Sequence, residues 1–321
     1  MSKRFDIAAI GEPMIEFNQT KPGEPTYLQG FGGDTSNMII SAARQGARTA
    51  YITRLGDDEF GRMFRELWAK EGVDASGVGT DPAAFTAVYF VTHGKDGHAF
   101  SYMRSGSAAN RMASSHLPME ILGNTRMLHA SGISLAVMEG AVMEAFRIAK
   151  QAGAKIGLDA NLRLKLWPLE RARASIEKAA GMTDYFFPSL EDAASLSGFS
   201  DEKSILAWAH GLGPKHVFLK LGADGVVASD GTSAERIRGI KVDFRDATGA
   251  GDCFAGAALA RLCAGDSLVD AARYANAAAA LKTTGFGAVG PIPRPEAVRE
   301  LLETPECAPS VSSQASPAAS G

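Results

Sequence analysis

The chain has 321 residues, of which 45% are hydrophobic and 21% are charged, and its formal net charge is −3. This composition is typical of a globular protein with a large core and excludes a fibrous or disordered chain. The slight acidic excess offers no basic surface for nucleic acid, and no Lys/Arg-rich amphipathic helix suggests binding to a membrane. We therefore expect a small-molecule substrate.

Cysteine usage and the amino terminus favour a cytoplasmic protein. The three cysteines, Cys253, Cys263 and Cys307, are an odd number without CxxC spacing, so neither a disulfide framework nor a structural zinc site is expected. The apolar run of residues 5–10 is interrupted by Asp6 and is too short for a signal-peptide core or a membrane span.

The first hundred residues mix strand and helix patterns. Residues 5–10 are predicted to form a buried strand, and the Gly/Pro-punctuated sequence up to Gly33 contains short alternating runs that return in residues 84–104. These two stretches are predicted to form one small sheet. Helical periodicity begins at Thr35 and, after the strand AYITRL, returns in residues 58–70.

The alternation of apolar runs and helical segments continues towards residue 250. Strand patterns are found in MLHASGI, KIGLDA, DYFFP, KHVFLKLG and GVVAS, with helices predicted over 138–151 and 170–180. This order predicts an α/β fold, a doubly wound and mostly parallel sheet covered by helices on both faces. Two alanine-rich helices follow, at 251–263 and 268–283, whereas residues 304–321 lack apolar periodicity and are predicted to be disordered.

The string D-A-T-G-A-G-D, residues 246–252, leads directly into the first alanine-rich helix. Gly249 and Gly251 lack the Cβ atoms that would obstruct a ligand, and the first helical turn offers unpaired N–H groups and a positive dipole end. A γ-phosphate can bind there, beside Asp252. The dipole favours the charged carboxylate, so we expect a weak base, which suffices for the loose transition state of phosphoryl transfer. A turn and a capped helix start would explain the same residues.

A second glycine-rich segment precedes the first long helix. Gly33 is followed by Asp34 and Asn37, side chains that can hydrogen-bond sugar hydroxyls where glycine lets them approach the backbone. A turn plus a helix cap is the structural alternative. No P-loop and no H-R-D or D-F-G motif is present, and the G-x-G-x-x-G of residues 285–290 runs into Pro291 instead of opening a helix.

Together and in this order, the two motifs resemble the signatures of the ribokinase-like (PfkB) carbohydrate kinases, and the resemblance extends to about Leu302. It implies that Asp252 is the catalytic base and that the backbone of Gly249, Ala250 and Gly251 forms the anion hole. It also implies a small β-sheet lid of residues 12–33 and 84–106 on a main domain of residues 1–11, 34–83 and 107–303. A homodimer through the lid is expected, as in many relatives.

Within this family, the strings IGEPMIE, FGGDT, YMRSGSA, SGISL and DANLR are similar to those of the 2-keto-3-deoxygluconate kinases. Arg104, on the small sheet, and Arg163, beyond the strand that ends at Asp159, suit a sugar carboxylate, because guanidinium binds planar oxyanions bidentately. The implied substrate-binding residues are Gly33, Asp34, Asn37, Tyr89, Tyr102, Arg104, Arg163 and Asp252.

The resulting prediction is a 2-dehydro-3-deoxygluconokinase that phosphorylates the 6-hydroxyl of its substrate in an Entner–Doudoroff type pathway. A neutral-sugar kinase, such as a fructokinase or a ribokinase, is the alternative within the enzyme class. A noncatalytic sugar-binding regulator on the same fold is the alternative from another class.

The resemblance implies ATP as the phosphoryl donor, with Mg²⁺. The implied ATP-binding residues are Asn161, Arg163, Ser189, Lys220, Gly222, Gly225, Gly249, Gly251 and Asn276. The family's N-x-x-E motif is present only as S-L-E-D, residues 189–192, so we expect Mg²⁺ to be held through phosphates and water, and we assign no direct metal ligand. Ala247 stands where the family usually has threonine, which leaves open a monovalent cation near this turn.

Overall fold

The computed structural model describes residues 3–94 and 97–304. Within these ranges the helices are α1 (Asp34–Arg44), α2 (Glu59–Glu71), α3 (Met119–Gly123), α4 (Gly132–Gln151), α5 (Leu169–Ala180), α6 (Leu190–Ser197), α7 (Glu202–Gly211), α8 (Ala250–Ala264), α9 (Leu268–Lys282) and α10 (Pro295–Leu302). The strands are β1 (Phe5–Ile10), β2 (Met14–Gln19), β3 (Tyr27–Gly32), β4 (Thr49–Gly56), β5 (Val73–Asp81), β6 (Val88–Gly94), β7 (Gly97–Met103), β8 (Thr125–Ser131), β9 (Lys155–Asp159), β10 (Tyr185–Phe187), β11 (His216–Lys220), β12 (Gly225–Ser229) and β13 (Ala234–Arg238). Cys307 and the tail predicted to be disordered, apart from Thr304, lie outside the described residues.

The larger sheet has the strand order β13-β12-β11-β10-β9-β8-β1-β4-β5. All neighbours from β11 to β5 are parallel, and β12 and β13 are added antiparallel. Helices cover both faces of the sheet. Successive residues of a strand point to opposite faces, so neighbouring side chains pack in different cores. Phe187 packs in the core that contains α8 and α9, and Phe186 packs in the core that contains α4 and α5. The predicted doubly wound, mostly parallel sheet is confirmed.

The smaller sheet has the order β3-β2-β6-β7, with β2 and β6 parallel and the outer pairs antiparallel. The two stretches predicted to share a small sheet therefore do so. The chain re-enters the main part at Gly33, which has φ 103°; a Cβ atom there would lie 2.5 Å from Glu12 O and 2.8 Å from Pro13 Cα. This crossing of two chain segments requires glycine.

Two differences from the predicted elements have local causes. The helix predicted from residue 138 begins at Gly132, where the Ser131 side chain accepts a hydrogen bond from Ser134 N at 3.1 Å. Met138 has non-helical angles, φ −145° and ψ 46°, so α4 is kinked at the predicted start. The sequence VDASGVGTD, which forms the edge strand β5, was missed because glycine and aspartate are rare in strands.

Close packing of α1 against α8 sets the geometry of the site. A Cβ atom on Gly256 would lie 2.2 Å from Met38 O, so only glycine lets the two helices approach this closely. Ser41 Oγ donates to Cys253 O at 2.9 Å across the same contact. In the described ranges, no helix is long and apolar enough to cross a membrane.

Candidate active site

The turn before α8 is organised by Asp246. Its Oδ1 accepts from the backbone N and the hydroxyl of Thr248 at 2.9 and 2.7 Å, and its Oδ2 accepts from Gly287 N at 2.8 Å. Gly249 caps the helix in the left-handed conformation, with φ 75°. In the first turn of α8, Ala250 N donates to Ala247 O at 3.0 Å, whereas the next two N–H groups have no carbonyl acceptor in the described residues and remain available to an anion.

Asp252 lies in this first turn and faces Asn37 of α1. Asn37 Nδ2 donates to Asp252 Oδ2 at 2.9 Å, and Asn37 Oδ1 is buried without a hydrogen-bond partner in the described part of the chain. Burial, and secondarily the carboxylate of Asp34, raise the pKa of Asp252 to about 7. The expectation of a weak base held in its charged form was wrong, because loss of solvation outweighs the favourable local interactions. Such a carboxylate is a competent base near neutral pH.

Asp34, at the start of α1, lies near Asp252 and contacts Asn161, which follows β9. Asn161 Nδ2 donates to Asp34 Oδ2 at 2.6 Å, and Asn161 N donates to Asp159 Oδ1 at 3.1 Å. Among the described residues, Asn161 alone has a positive φ (31°) without being glycine, a strained conformation often found at functional sites. Burial raises the pKa of Asp34 as well. Asn161, predicted to bind ATP, is thus hydrogen-bonded to a residue predicted to bind the sugar.

Lys220 brings a positive charge to the anion-binding turn. Its Nζ donates to Asp159 Oδ2 at 2.5 Å, and a Cβ atom on Gly251 would lie 3.3 Å from the same nitrogen. The ammonium therefore lies beside the backbone that could hold a phosphate. Because Asp159 balances part of its charge, Lys220 is held in place before any ligand binds.

The small sheet contributes two tyrosines and an ion pair. The Tyr89 hydroxyl donates to the buried Glu16 carboxylate, and the rings of Tyr89 and Tyr102 stack with their centroids 5.8 Å apart. Arg104 forms an ion pair with Glu12, whose side chain is fully buried and whose pKa is raised by that burial. The charge of Arg104 is balanced inside the protein, which weakens the predicted clamp for a sugar carboxylate.

Arg163 differs from Arg104 in its partners. Its guanidinium donates to the neighbouring Leu162 O at 2.8 Å, and no carboxylate of the described residues forms an ion pair with it. Burial raises the pKa values of Tyr102 on the small sheet and of Asp192 on α6, and the nearby charge of Arg163 opposes both shifts. Arg163 therefore lies between the small sheet and α6 with its charge available to a ligand.

The residues predicted to lie beside the nucleotide also have structural roles. Ser189 caps α6 by accepting from Asp192 N at 3.0 Å. Asn276 Nδ2 donates to Arg238 O at 2.8 Å and ties α9 to β13. A Cβ atom on Gly225 would lie 2.1 Å from Ile237 O, whereas one on Gly222 would meet open space. The fold alone requires glycine at 225, and Gly222 leaves room for a ligand.

Comparison with known proteins decides the family. The model of the pfkB family carbohydrate kinases matches residues 4–295. The chain belongs to this family. The carbohydrate kinase is therefore a phosphotransferase that acts on a sugar hydroxyl, as the two signature motifs predicted. Fructokinase-1 of Zea mays is 33% identical over 316 residues, which cover 92% of this chain and 97% of the relative.

Solved structures agree with the family and the fold. A fructokinase from Xylella fastidiosa with bound ATP matches with a TM-score of 0.86 and 25% identity, covering 93% of this kinase and 98% of that chain. A candidate ribokinase II from E. coli, in complex with ATP and Mg²⁺, matches with a TM-score of 0.86 and 27% identity, covering 94% and 99%. Curated relatives of this chain carry fructokinase names, and they do not support the similarity to 2-keto-3-deoxygluconate kinases.

Three acidic residues of the candidate site were not predicted from the sequence. Glu12 and Glu16 pair with Arg104 and Tyr89, and Asp159 pairs with Lys220. Asp159 had a usable signal, because it ends a buried strand at the edge where open α/β sheets bind ligands. Glu12 and Glu16 had no such signal beyond their place in IGEPMIE, one of the strings that resemble a known kinase, because their partners come from distant segments of the chain.

Proposed function

We propose that this carbohydrate kinase transfers the γ-phosphoryl group of ATP to the 6-hydroxyl of a neutral six-carbon 2-keto sugar, with fructose as the first candidate. Fructokinases cover more than nine-tenths of the chain at about one-third identity, and the Glu12–Arg104 pair leaves one guanidinium fewer for a sugar carboxylate. The single observation that carries the proposal is Asp252, a carboxylate with a pKa raised to about 7 in the first turn of α8.

In the proposed reaction, the sugar hydroxyl lies between Asp252 and the γ-phosphate. Its oxygen forms the new bond to phosphorus while the bond to the β-phosphate oxygen breaks and ADP leaves. Asp252 accepts the hydroxyl proton, which the loose transition state releases late. The N–H groups of Gly249 and Gly251 and the ammonium of Lys220 stabilise the charge on the transferring group. The N–H of Ala250, which the family resemblance places in the same anion hole, already donates to Ala247 O.

The donor set fits a magnesium nucleotide. N–H groups at the start of α8, a nearby ammonium and the open space at Gly222 suit a triphosphate. Within the described ranges, no cluster of three or more His, Cys, Asp or Glu side chains could hold a metal, so nucleotide phosphates and water would supply most ligands of Mg²⁺. Bound Mg²⁺ would neutralise phosphate charge, and the residues of the chain would orient the nucleotide.

The small sheet is proposed to act as a lid that excludes water from the sugar. Tyr89 and Tyr102 would form its apolar wall, with Gly33, Asp34 and Asn37 holding hydroxyl groups from the other side. Its exposed apolar side chains, among them Leu28 at 69% and Met103 at 58% exposure, support the expectation of a homodimer through this sheet.

2-Keto-3-deoxygluconate remains the second candidate because of Arg163. Its guanidinium has no carboxylate partner in the described residues, and an acidic sugar could supply one. For this candidate, Arg163→Ala should lower turnover of the acidic sugar about tenfold or more beyond any effect on fructose, since a loss of ATP binding alone would affect both sugars equally. If Arg104→Ala alters turnover of acidic and neutral sugars equally, the carboxylate clamp involving that residue is excluded.

A direct substrate panel tests the proposal. ADP release would be measured with ATP, Mg²⁺ and fructose, ribose, gluconate, 2-keto-3-deoxygluconate or its galactonate epimer, and Asp252→Asn would serve as the inactive control. The proposal predicts that fructose has the highest kcat/KM, by about tenfold or more over ribose. A higher kcat/KM for 2-keto-3-deoxygluconate would favour that second candidate over fructose. A higher kcat/KM for ribose would contradict both candidate substrates.

A further inference from the structure

Lys282, the last residue of α9, is a charged side chain in an unusual place. Its exposed fraction is 0%, although removing an ammonium from water costs several kcal/mol unless partners compensate. Its one hydrogen bond in the described ranges runs from Nζ to the backbone oxygen of Asp246 at 3.0 Å. A lysine with only a packing role would reach solvent with its ammonium, so the buried charge at this position calls for another explanation.

The acceptor of Lys282 belongs to the turn that presents the anion site. Arg245 N and Asp246 N both donate to Thr283 O, at 2.8 and 3.1 Å, so the segment is attached to the end of α9. The carboxylate of Asp246 in turn holds Thr248 and Gly287. The ammonium therefore fixes the residue around which the turn before α8 is built.

The charge of Lys282 also acts on the site. Burial lowers its pKa, and the acidic groups of Asp246, Cys253, Asp252 and Glu16 act in the opposite direction. These groups lie on the turn, on α8 and on β2, so the ammonium is close enough to these elements for its charge to act on their acidic side chains. A buried positive charge that is bonded to the anion-binding turn would favour phosphate there, because the protein interior screens the charge less than water does.

We propose that Lys282 is a positioning residue whose buried ammonium holds the turn of residues 246–249 in its phosphate-binding conformation and takes the place of a bound monovalent cation. The carbonyl of Asp246 already accepts from the Lys282 ammonium at 3.0 Å, and a cation bound to the same oxygen would be repelled by that charge. The kinase should therefore work without added potassium. This inference rests on the proposed role of the start of α8 in binding phosphate.

The test compares the wild type and variants with and without K⁺. Lys282→Met keeps the length and removes the charge, and Lys282→Arg keeps the charge. Lys3→Met is the matched control, because Lys3 also donates to backbone carbonyls, those of Gly123 and Ala152 at 2.6 and 2.7 Å, away from the site. Sugar turnover, ADP affinity by calorimetry and thermal unfolding would be measured in K⁺ and in tetramethylammonium at about 0.1 M salt.

We expect wild-type turnover and ADP affinity to differ by less than about twofold between the two salts. Lys282→Met should lower kcat about tenfold or more and weaken ADP binding, with the sugar KM within about threefold, whereas Lys282→Arg should keep most of the activity. Lys3→Met should leave all three unchanged.

A wild type that needs K⁺ for ADP binding overturns the inference, as does a Lys282→Met variant with normal kcat and ADP affinity and an altered Tm alone. If Lys282→Met does not fold, turnover and ADP affinity of the wild type and of Lys282→Arg, compared in K⁺ and in tetramethylammonium, still test the inference. Failure of the wild type to phosphorylate any keto sugar would count against the proposed function, and the ADP measurements would test Lys282 independently.

Discussion

Asn37 and Asp252 are 215 positions apart in the chain, and the Asn37 side-chain amide donates a 2.9 Å hydrogen bond to Oδ2 of Asp252. The bond joins the first turn of α1, where sugar-binding residues are proposed, to the first turn of α8, where phosphate is proposed to bind. It orients the carboxylate and favours its charged form, against the larger effect of burial.

The pH dependence of the free enzyme should report Asp252. Its pKa is raised to about 7, so the base is protonated and inactive below that value, and kcat/KM should rise with pH to a plateau above it. The same shift makes the folded state bind more protons than the unfolded one between the two pKa values, so this group's contribution to stability falls as pH rises through that window. A kcat/KM profile that is flat from about pH 5 to 8 would be inconsistent with this assignment.

Asn37→Ala should move that profile to higher pH. The variant removes a hydrogen bond to the charged carboxylate, so the pKa of Asp252 should rise further. The check is the midpoint of the kcat/KM profile beside that of Asn124→Ala, a control whose amide donates to Glu120 O at the surface. An unchanged or lower midpoint for Asn37→Ala would show that the hydrogen bond does not tune the base.

Gly33→Ala should destabilise the fold at the crossing into α1. Its φ of 103° disfavours any side chain, and the added Cβ atom would lie 2.5 Å from Glu12 O. We expect the free energy of unfolding to fall by roughly 2 kcal/mol or more in urea titrations. Gly23→Ala is the control, because φ there is 78° but nothing lies within 4 Å, so it should lose only about 1 kcal/mol. Equal losses would mean that the crossing adds no steric constraint.

The effects of replacing Glu12 and Arg104 on the free energy of unfolding should be coupled. Arg104→Ala leaves the buried Glu12 carboxylate without its cation, which should cost about 3 kcal/mol of unfolding free energy. Adding Glu12→Gln should recover much of that loss, since the remaining amide carries no charge. A double-mutant cycle measured by chemical denaturation checks this, and additive effects of the two changes would argue against a functional pair.

The fold and the chemical class could be predicted because their signals are local. The β–α–β order and the string of residues 246–252 are contiguous in the sequence, and each has a direct structural consequence. Element boundaries were less predictable where a kink or a glycine-rich edge strand breaks the pattern, as at Met138 and in β5.

The electrostatics of the site could not be predicted in the same way. The pKa of Asp252 depends on burial and on Asp34, which arrives from the other end of the chain, so the helix-dipole argument alone gave the wrong direction. The role of Arg104 likewise depends on Glu12, a residue with no distinguishing pattern around it. A sequence shows which charges exist, but their partners follow from the tertiary fold.

Single-turnover phosphoryl transfer by Asp252→Asn tests the central claim most directly, with sugar binding measured in parallel by calorimetry. We expect the rate to fall by a factor of about 10² to 10⁴, while sugar affinity stays within about tenfold because the side-chain volume and one acceptor persist. A near-normal rate of transfer in this variant would contradict the assignment of Asp252 as the base.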